Sequence, residues 1–375
     1  MPSMVNLYTC MSKVKVCHFY SGNRFGGLEK FLINVQRYSN MTPKVDHSFA
    51  LCFEGKLFDH LQHLKNNVEL IKLNTLSNPI KVVLAWVNIF KMLKRNEIDV
   101  LVSHEIWNYI LGYFPAKLAG VNVVLWSHTS FFDYKLYKLL KYFLPQEIVA
   151  DSLHVSELIK ERWPSIPVKT LYYPHPSPEG VPAPKASNDI PTILYVGRFA
   201  RYKGLHILIE SLKYLNDLEF KLDIVGGPQS VEEEKYKIEL ETIIKKFNLQ
   251  ERVNFVGEQS DVASFYFKSD IFCHPNIAPE AFGLVFIEAL YCGLPIVATN
   301  IGGAKEIFAS TDKVIGKLVN PNQVEELSSS LRDMIVHSKL REEIKIYAPE
   351  VSRQLCDPLL SMQKMEDYLI RFRKK

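Results

Sequence analysis

The chain has few of the signatures that mark the commonest metal, redox and nucleotide sites. Its six cysteines (Cys10, Cys17, Cys52, Cys273, Cys292 and Cys356) show no C-x-x-C or C-x-x-H spacing. Neither a zinc site nor a disulfide framework is indicated, and the cysteines read as reduced thiols of a cytosolic protein. No D-x-D triplet and no G-x-G-x-x-G fingerprint occurs. No apolar run reaches the ~18 residues needed to span a bilayer. The longest candidate, Val82 to Leu93, is broken by Asn88 and Lys91 and reads as an amphipathic helix. The N-terminus, MPSMVNLYTCMSKVKVCHFY, lacks a basic patch followed by an apolar core and a small-residue cleavage site, so no signal peptide is expected; Met11 is a candidate natural start. No repeat and no low-complexity tract appears. A net charge of +4, from 45 Lys+Arg against 41 Asp+Glu, is too small to argue for nucleic acid.

What is present is a large apolar fraction, 47% over 375 residues, enough for two globular cores and too much for a disordered chain or fibre. Residues 1–185 carry 21 Lys+Arg against 14 Asp+Glu, a balance of +7, and the remainder carries 24 against 27, a balance of −3. Between the halves lies TLYYPHPSPEGVPAPKASNDIP, with Pro174, Pro176, Pro178, Pro182, Pro184 and Pro191. Proline at that density continues neither a helix nor a central strand, so the segment reads as a linker over about 174–191. Short β-branched runs alternate with helical patterns on each side. The first half predicts strands at Val14–Tyr20, Val45–Phe53, Ile98–Ser103, Asn122–Ser127 and Gln146–Ala150. The second predicts them at Thr192–Val196, Lys221–Val225, Val253–Val256, Ile271–His274 and Ile296–Ala298. Nearly continuous hydrophobic strands separated by amphipathic helices belong to parallel sheets covered on both faces. The fold class is α/β, with two Rossmann-like, doubly wound domains, and functional residues belong just after the strands.

Four loops stand in such places. In VGRFARYKG a strand ends at Val196, Gly197 allows a turn, and Arg198 and Lys203 offer a planar fork and a point charge suited to a diphosphate. In PEAFGLVFIEALYCGLPIVATNIGGAKE a helix is expected to start near Gly283, with its free amides and positive dipole end. Glu280 precedes that helix and Glu288 lies inside it, so the two carboxylates suit separate hydroxyl groups of one elongated ligand rather than a paired acid and base. Gly302 and Gly303 follow another strand and precede a short helix with Glu306, where amides could meet an anion. In the first half, SGNRFGGLEKF places Gly22, Gly26 and Gly27 before a helix beginning near Leu28. Local pattern alone leaves that loop equally a turn or a phosphate loop.

Together, GGLE, VGR-x4-KG, E-x7-E with FGL inside it, GLPIVAT and GGxxE, in that order, resemble retaining glycosyltransferases of family 4, which have the GT-B fold. The likeness covers nearly the whole chain and is strongest from Ile190 to Phe308. It implies an acceptor domain at 1–177, a donor domain at 178–355 and a helix at 356–375 crossing back to the first, with the two domains facing across a cleft. Arg198 and Lys203 would then neutralise the donor diphosphate and Glu288 would bind the ribose. Glu280, with the amides of Phe282, Gly283 and Leu284, would hold the donor sugar; Gly26 and Gly27 would approach the diphosphate, and Gly302 and Gly303 would line the donor site. His128 matches a histidine near the transferred sugar, and His104 and Glu105 are candidate acceptor contacts. The donor would be a UDP- or GDP-sugar, with no cofactor and no metal, in keeping with the missing D-x-D. Two departures stand out: Ala281 where the family often has Gly, and Y-P-H-P after a strand near Thr170–Tyr173 where many members have Asn-Gly.

The stretch SFFDYKLYKLLKYFLPQ interleaves Lys135, Lys138 and Lys141 with Phe131, Phe132, Tyr134, Tyr137, Tyr142 and Phe143, a mixture that suits an anionic membrane surface or a helix packed on its own sheet. The resulting expectation is a cytoplasmic, peripherally membrane-bound hexosyltransferase acting on a saccharide, lipid-linked, in polysaccharide or glycolipid assembly. A sugar-nucleotide epimerase on the same scaffold and a non-catalytic scaffold protein are the alternatives.

Overall fold

The computed structural model describes residues 12–21, 26–64, 68–73, 77–132, 135–179 and 190–373. The expected positions Met11, Gly22, Tyr134, Pro182 and Pro184 lie outside them. The chain forms two compact units. One comprises Met1–Asp151, Val155–His175 and Pro358–Lys375, and the other Ser152–His154 and Pro176–Asp357.

The first unit is built on seven strands: β1 (Val14–Tyr20), β2 (Val45–Leu51), β3 (Val68–Leu70), β4 (Val100–Ser103), β5 (Asn122–Ser127), β6 (Ile148–Ala150) and β7 (Val168–Thr170). They pair in the order β3-β2-β1-β4-β5-β6-β7, every pair parallel. Helices α1 (Gly27–Arg37), α2 (Lys56–His63), α3 (Pro79–Arg95), α4 (Ile106–Ala119) and α5 (Leu153–Arg162) supply connections. Strand β1 reads VKVCHFY and is buried along nearly its whole length, as a strand covered on both faces must be. Helix α3 starts where Asn78 accepts a hydrogen bond from the Lys81 amide at 3.1 Å and Pro79 occupies the first turn.

The second unit has six parallel strands: β8 (Thr192–Val196), β9 (Lys221–Val225), β10 (Val253–Gly257), β11 (Ile271–His274), β12 (Ile296–Thr299) and β13 (Gly316–Val319). Their order is β10-β9-β8-β11-β12-β13. Helices α6 (Leu205–Ser211), α7 (Val231–Lys246), α8 (Ala263–Lys268), α9 (Leu284–Tyr291), α10 (Gly302–Ala309), α11 (Val324–Val336) and α12 (Ser338–Cys356) belong to it. The core is aliphatic and aromatic, with Leu205, Leu208, Leu222, Ile224, Leu240 and Leu331 fully buried. The last helix, α13 (Pro358–Leu369), belongs to the first unit, where Glu366 accepts from the Lys44 amide at 2.6 Å.

Three strands escape the sequence pattern in whole or in part. Strands β3 and β7 have three residues and β13 four, and most of their side chains are only half-buried, so they lack a continuous apolar run. The Lys135–Lys141 segment is a 3-10 helix rather than an amphipathic α-helix. With three residues per turn, its lysines fall on one exposed line while Tyr137 and Leu140 are buried.

In both sheets the strand order reverses at one point, between β1 and β4 and between β8 and β11. The two chain segments leaving such a point diverge to opposite faces and open a crevice beyond the carboxyl ends. The loops after β1, β4, β8 and β11 are those flagged by the motifs, or their immediate neighbours.

Candidate functional site

In the second unit, β8 delivers the chain into a loop that closes with a short 3-10 turn at Arg201–Lys203. Gly204 follows with φ +73°, and a Cβ there would lie 1.8 Å from the Pro275 carbonyl oxygen. Only glycine permits both that conformation and that approach, which seats the Lys203 loop directly on the segment after β11. The Lys203 ammonium reaches Glu280 Oε1 at 3.0 Å, and the other Glu280 oxygen accepts from Asn276 Nδ2 at 3.1 Å. Burial pushes the Glu280 carboxyl up, but the Lys203 charge and the hydrogen bonds from Lys203 and Asn276 outweigh it and hold it at about 2. His274 stacks on Tyr195 with ring centroids 4.9 Å apart and planes within 3°. Burial, followed by the Lys203 charge, lowers His274 to about 3, so the imidazole beside this ion pair is neutral. Arg198 is more open: its guanidinium lies 3.5 Å from the Tyr202 hydroxyl and 3.7 Å from Glu233.

The loop carrying Glu280 runs into α9, with Gly283 at the cap position. Helix geometry leaves the first amides, including that of Leu284, without an intrahelical acceptor. Gly302 and Gly303 support this loop from below. The Gly303 amide donates to the Glu280 carbonyl at 3.0 Å, and a Cβ on Gly303 would fall 1.9 Å from the Phe282 carbonyl oxygen. The expectation that Gly303 offers its amide to an anion is therefore corrected: that amide is spent on the loop. Phe282 is 1% exposed, so its ring anchors the loop in the core. Glu288 is 6% exposed, and its Oε2 accepts from the Tyr266 hydroxyl at 2.9 Å.

In the first unit, the Gly26 amide donates to Glu29 Oε2 at 2.8 Å and fixes the start of α1, while Tyr20 donates to Glu29 Oε1 at 2.5 Å. Gly27 is the first residue of that helix. Glu105 accepts from Ser21 Oγ at 2.7 Å and from Trp107 Nε1 at 2.8 Å. Burial pushes both the Glu29 and Glu105 carboxyls up.

Four histidines form a line across the sheet. Thr42 Oγ1 meets His47 Nε2 at 3.1 Å, His47 Nδ1 meets His18 Nε2 at 3.0 Å, and His18 Nδ1 meets His104 Nε2 at 2.9 Å. His104 Nδ1 then meets His128 Nε2 at 2.9 Å, His128 Nδ1 meets the Tyr173 hydroxyl at 2.5 Å, and Tyr173 donates to Asp151 Oδ2 at 3.0 Å. The strand order β2-β1-β4-β5 brings these side chains side by side. Burial lowers all four, His47 to about 4 and His128 to about 3, so they are neutral imidazoles. Four neutral rings supply four protons, yet the chain from Thr42 to Tyr173 has five junctions. Both ends donate outward, Tyr173 to Asp151 at 3.0 Å and Thr42 Oγ1 to the Ser39 carbonyl at 2.8 Å, so the four ring protons serve four of the five junctions.

This geometry corrects the reading of His104. It is 2% exposed with both ring nitrogens bonded, so it is a link in the core and not an acceptor contact. His128 likewise has both nitrogens engaged, and contact with a sugar hydroxyl would require one of those bonds to be given up. Asn276, His274 and Tyr266 were not flagged by the motifs. The strand-end rule could have found Asn276, two residues beyond β11; Tyr266 has no sequence signal. Among the described residues no group of three or more His, Cys, Asp or Glu side chains is arranged to hold a metal ion.

Residues 181–351 match the family model described as glycosyl transferases group 1. An uncharacterized glycosyltransferase of Haemophilus influenzae is 28% identical over 359 residues, 92% of each chain. The phosphatidylinositol N-acetylglucosaminyltransferase gpi3 subunit of Schizosaccharomyces pombe is 30% identical over 191 residues, 48% of this chain but only 39% of that protein's length. Among solved structures, Anabaena HepE in complex with UDP superposes with a TM-score of 0.80 at 21% identity, covering 96% of this chain and all of that one. The architecture is that of GT-B glycosyltransferases.

Proposed function

We propose that the chain moves a hexosyl or N-acetylhexosaminyl group from a UDP- or GDP-sugar to a saccharide acceptor with retention of configuration. The observation that carries this reading is the Lys203–Glu280–Asn276 cluster at the point where the second sheet reverses, with the start of α9 beside it and Glu288 further along the same helix. The UDP bound to the Anabaena structure supports the choice of donor class. Lys203, Arg198 and the first amides of α9 would stabilise the diphosphate as its charge develops. Glu280, ionised and held on two sides, would accept from sugar hydroxyls, and Glu288 from the ribose. The bond between the anomeric carbon and the phosphate oxygen breaks as the acceptor oxygen bonds to that carbon. The acceptor proton passes to the departing phosphate oxygen on the same face, so no side-chain base is required. The first unit, with its excess of basic residues, would take the acceptor, which we assign to lipid-linked saccharides at the cytoplasmic side of a membrane.

The test is a thermal-shift panel of UDP-, GDP- and ADP-sugars followed by assay of nucleoside diphosphate release with and without acceptor. A transferase stabilised by one donor should release diphosphate only when acceptor is present. Glu288→Ala should weaken donor binding and Arg198→Ala should mainly slow turnover. Isomerised sugar nucleotide without acceptor would identify an epimerase instead, and no stabilisation by any donor would reject the reading.

A further inference from the structure

Helix α3 carries two apolar faces. Ala85, Ile89, Met92 and Leu93 are buried. Ile80, Val83, Leu84 and Val87, at i, i+3, i+4 and i+7, form a second stripe that is 72%, 52%, 58% and 43% exposed. Helix α4 adds Phe114 and Leu118, 45% and 77% exposed. Trp86 of α3 and Phe114 have ring centroids 5.4 Å apart, and Phe114 meets Phe143 at 5.4 Å. The apolar surface is thus continuous from α3 over α4 to the segment after the 3-10 helix, where Tyr142 and Leu144 are 68% and 56% exposed. The six α3 and α4 side chains alone expose on the order of 500 Å², near the upper end of what soluble monomers leave uncovered.

The charge carried by these elements has one sign. Lys81, Lys91 and Lys94 on α3, Lys117 on α4, and Lys135, Lys138 and Lys141 on the 3-10 helix are all exposed, and these three elements contain no Asp or Glu. None of those lysines is paired with a carboxylate among the described residues. Lys91 and Lys94 continue the line of Val87 along the helix, and Lys141 sits over the Tyr142 ring. A second copy of the chain would bring cations against cations on this face, which opposes association. An anionic lipid surface satisfies both halves of the pattern at once.

We propose that the α3–α4 face docks on an anionic bilayer: Ile80, Val83, Leu84, Val87, Phe114 and Leu118 enter the boundary between headgroups and acyl chains, and the lysines lie among the headgroups. The proposal does not rest on the transferase reading. It moves the membrane contact expected of Ser130–Gln146 onto α3 and α4, with the 3-10 helix at the rim.

Flotation of the full chain with phosphatidylcholine vesicles, with and without phosphatidylglycerol, tests it. Binding should require the anionic lipid and weaken with salt. Leu84→Ser with Val87→Ser, and separately Lys91→Gln with Lys94→Gln, should each reduce the bound fraction by about tenfold. Both pairs are exposed, so melting temperature should be unchanged. The proposal is overturned if the wild type fails to float, if it binds neutral vesicles equally, or if both double variants float like the wild type. Sedimentation velocity supplies a further refutation: a dimer that the Leu84→Ser, Val87→Ser variant dissolves would identify a second copy as the occupant.

Discussion

Replacing Gly303 with alanine tests the link between backbone packing and the donor loop more sharply than replacing any charged residue. The new Cβ would stand 1.9 Å from the Phe282 carbonyl oxygen and 2.4 Å from its carbon, where real Cβ atoms essentially never come within 3.0 Å. The neighbour is backbone, so no rotamer change relieves the contact, and the Glu280–Gly283 loop must retreat by about 1 Å. Overpacking of this kind costs about 1–3 kcal/mol. For a unit of this size each kcal/mol lowers the melting temperature by roughly 2–4 °C. The same retreat lengthens the Gly303–Glu280 hydrogen bond and carries the Glu280 carboxylate and the α9 amides out of register with Lys203. A misplacement of about 1 Å at a reacting centre costs on the order of 10²-fold in rate. The expected result is therefore a modest fall in melting temperature and a large loss of diphosphate release. Lys305→Ala, at an exposed position of the same helix, should change neither. A Gly303→Ala protein with wild-type melting temperature and turnover would show that the loop does not rest on α10, and the account of the double glycine would fall.

The buried histidines set a stability limit on the acid side. His18, His47, His104 and His128 have folded-state pKa values below those of the unfolded chain. The unfolded state therefore binds more protons below pH ~6.5, and each such imidazole contributes stability that is full above that pH and falls by about 1.4 kcal/mol per pH unit beneath it. Denaturant midpoints should drop steeply between pH 7 and pH 5.5, before carboxylates begin to titrate; a flat profile over that range contradicts the neutral chain. Nitrogen chemical shifts of selectively labelled histidine read the same neutrality directly: the four buried rings should be neutral imidazoles at pH 7, and an imidazolium signal from any of them would refute it.

Strand positions were legible because they depend on local composition. The runs Val14–Tyr20, Asn122–Ser127, Thr192–Val196, Lys221–Val225 and Ile271–His274 are strands at those same limits. Each is an apolar β-branched segment bounded by turn residues, so the chain itself encodes where a buried strand begins and ends. The loops after them followed by rule, and with them Arg198, Lys203 and Glu280. What the sequence could not supply was pairing. Lys203 and Glu280 are 77 positions apart, and their ion pair exists because β8 and β11 are neighbours in the sheet. His104 looked like a loop residue beyond a strand; the order β2-β1-β4-β5 makes it the centre of a buried imidazole line. Helix α3 was legible as a helix, but with apolar residues on two faces its pattern does not say which face meets α4 and which meets solvent. Local sequence sets the conformation of a segment, because sterics and turn chemistry act over a few residues. Which segments lie side by side is decided by burial summed over the whole chain, and only the tertiary structure carries that sum.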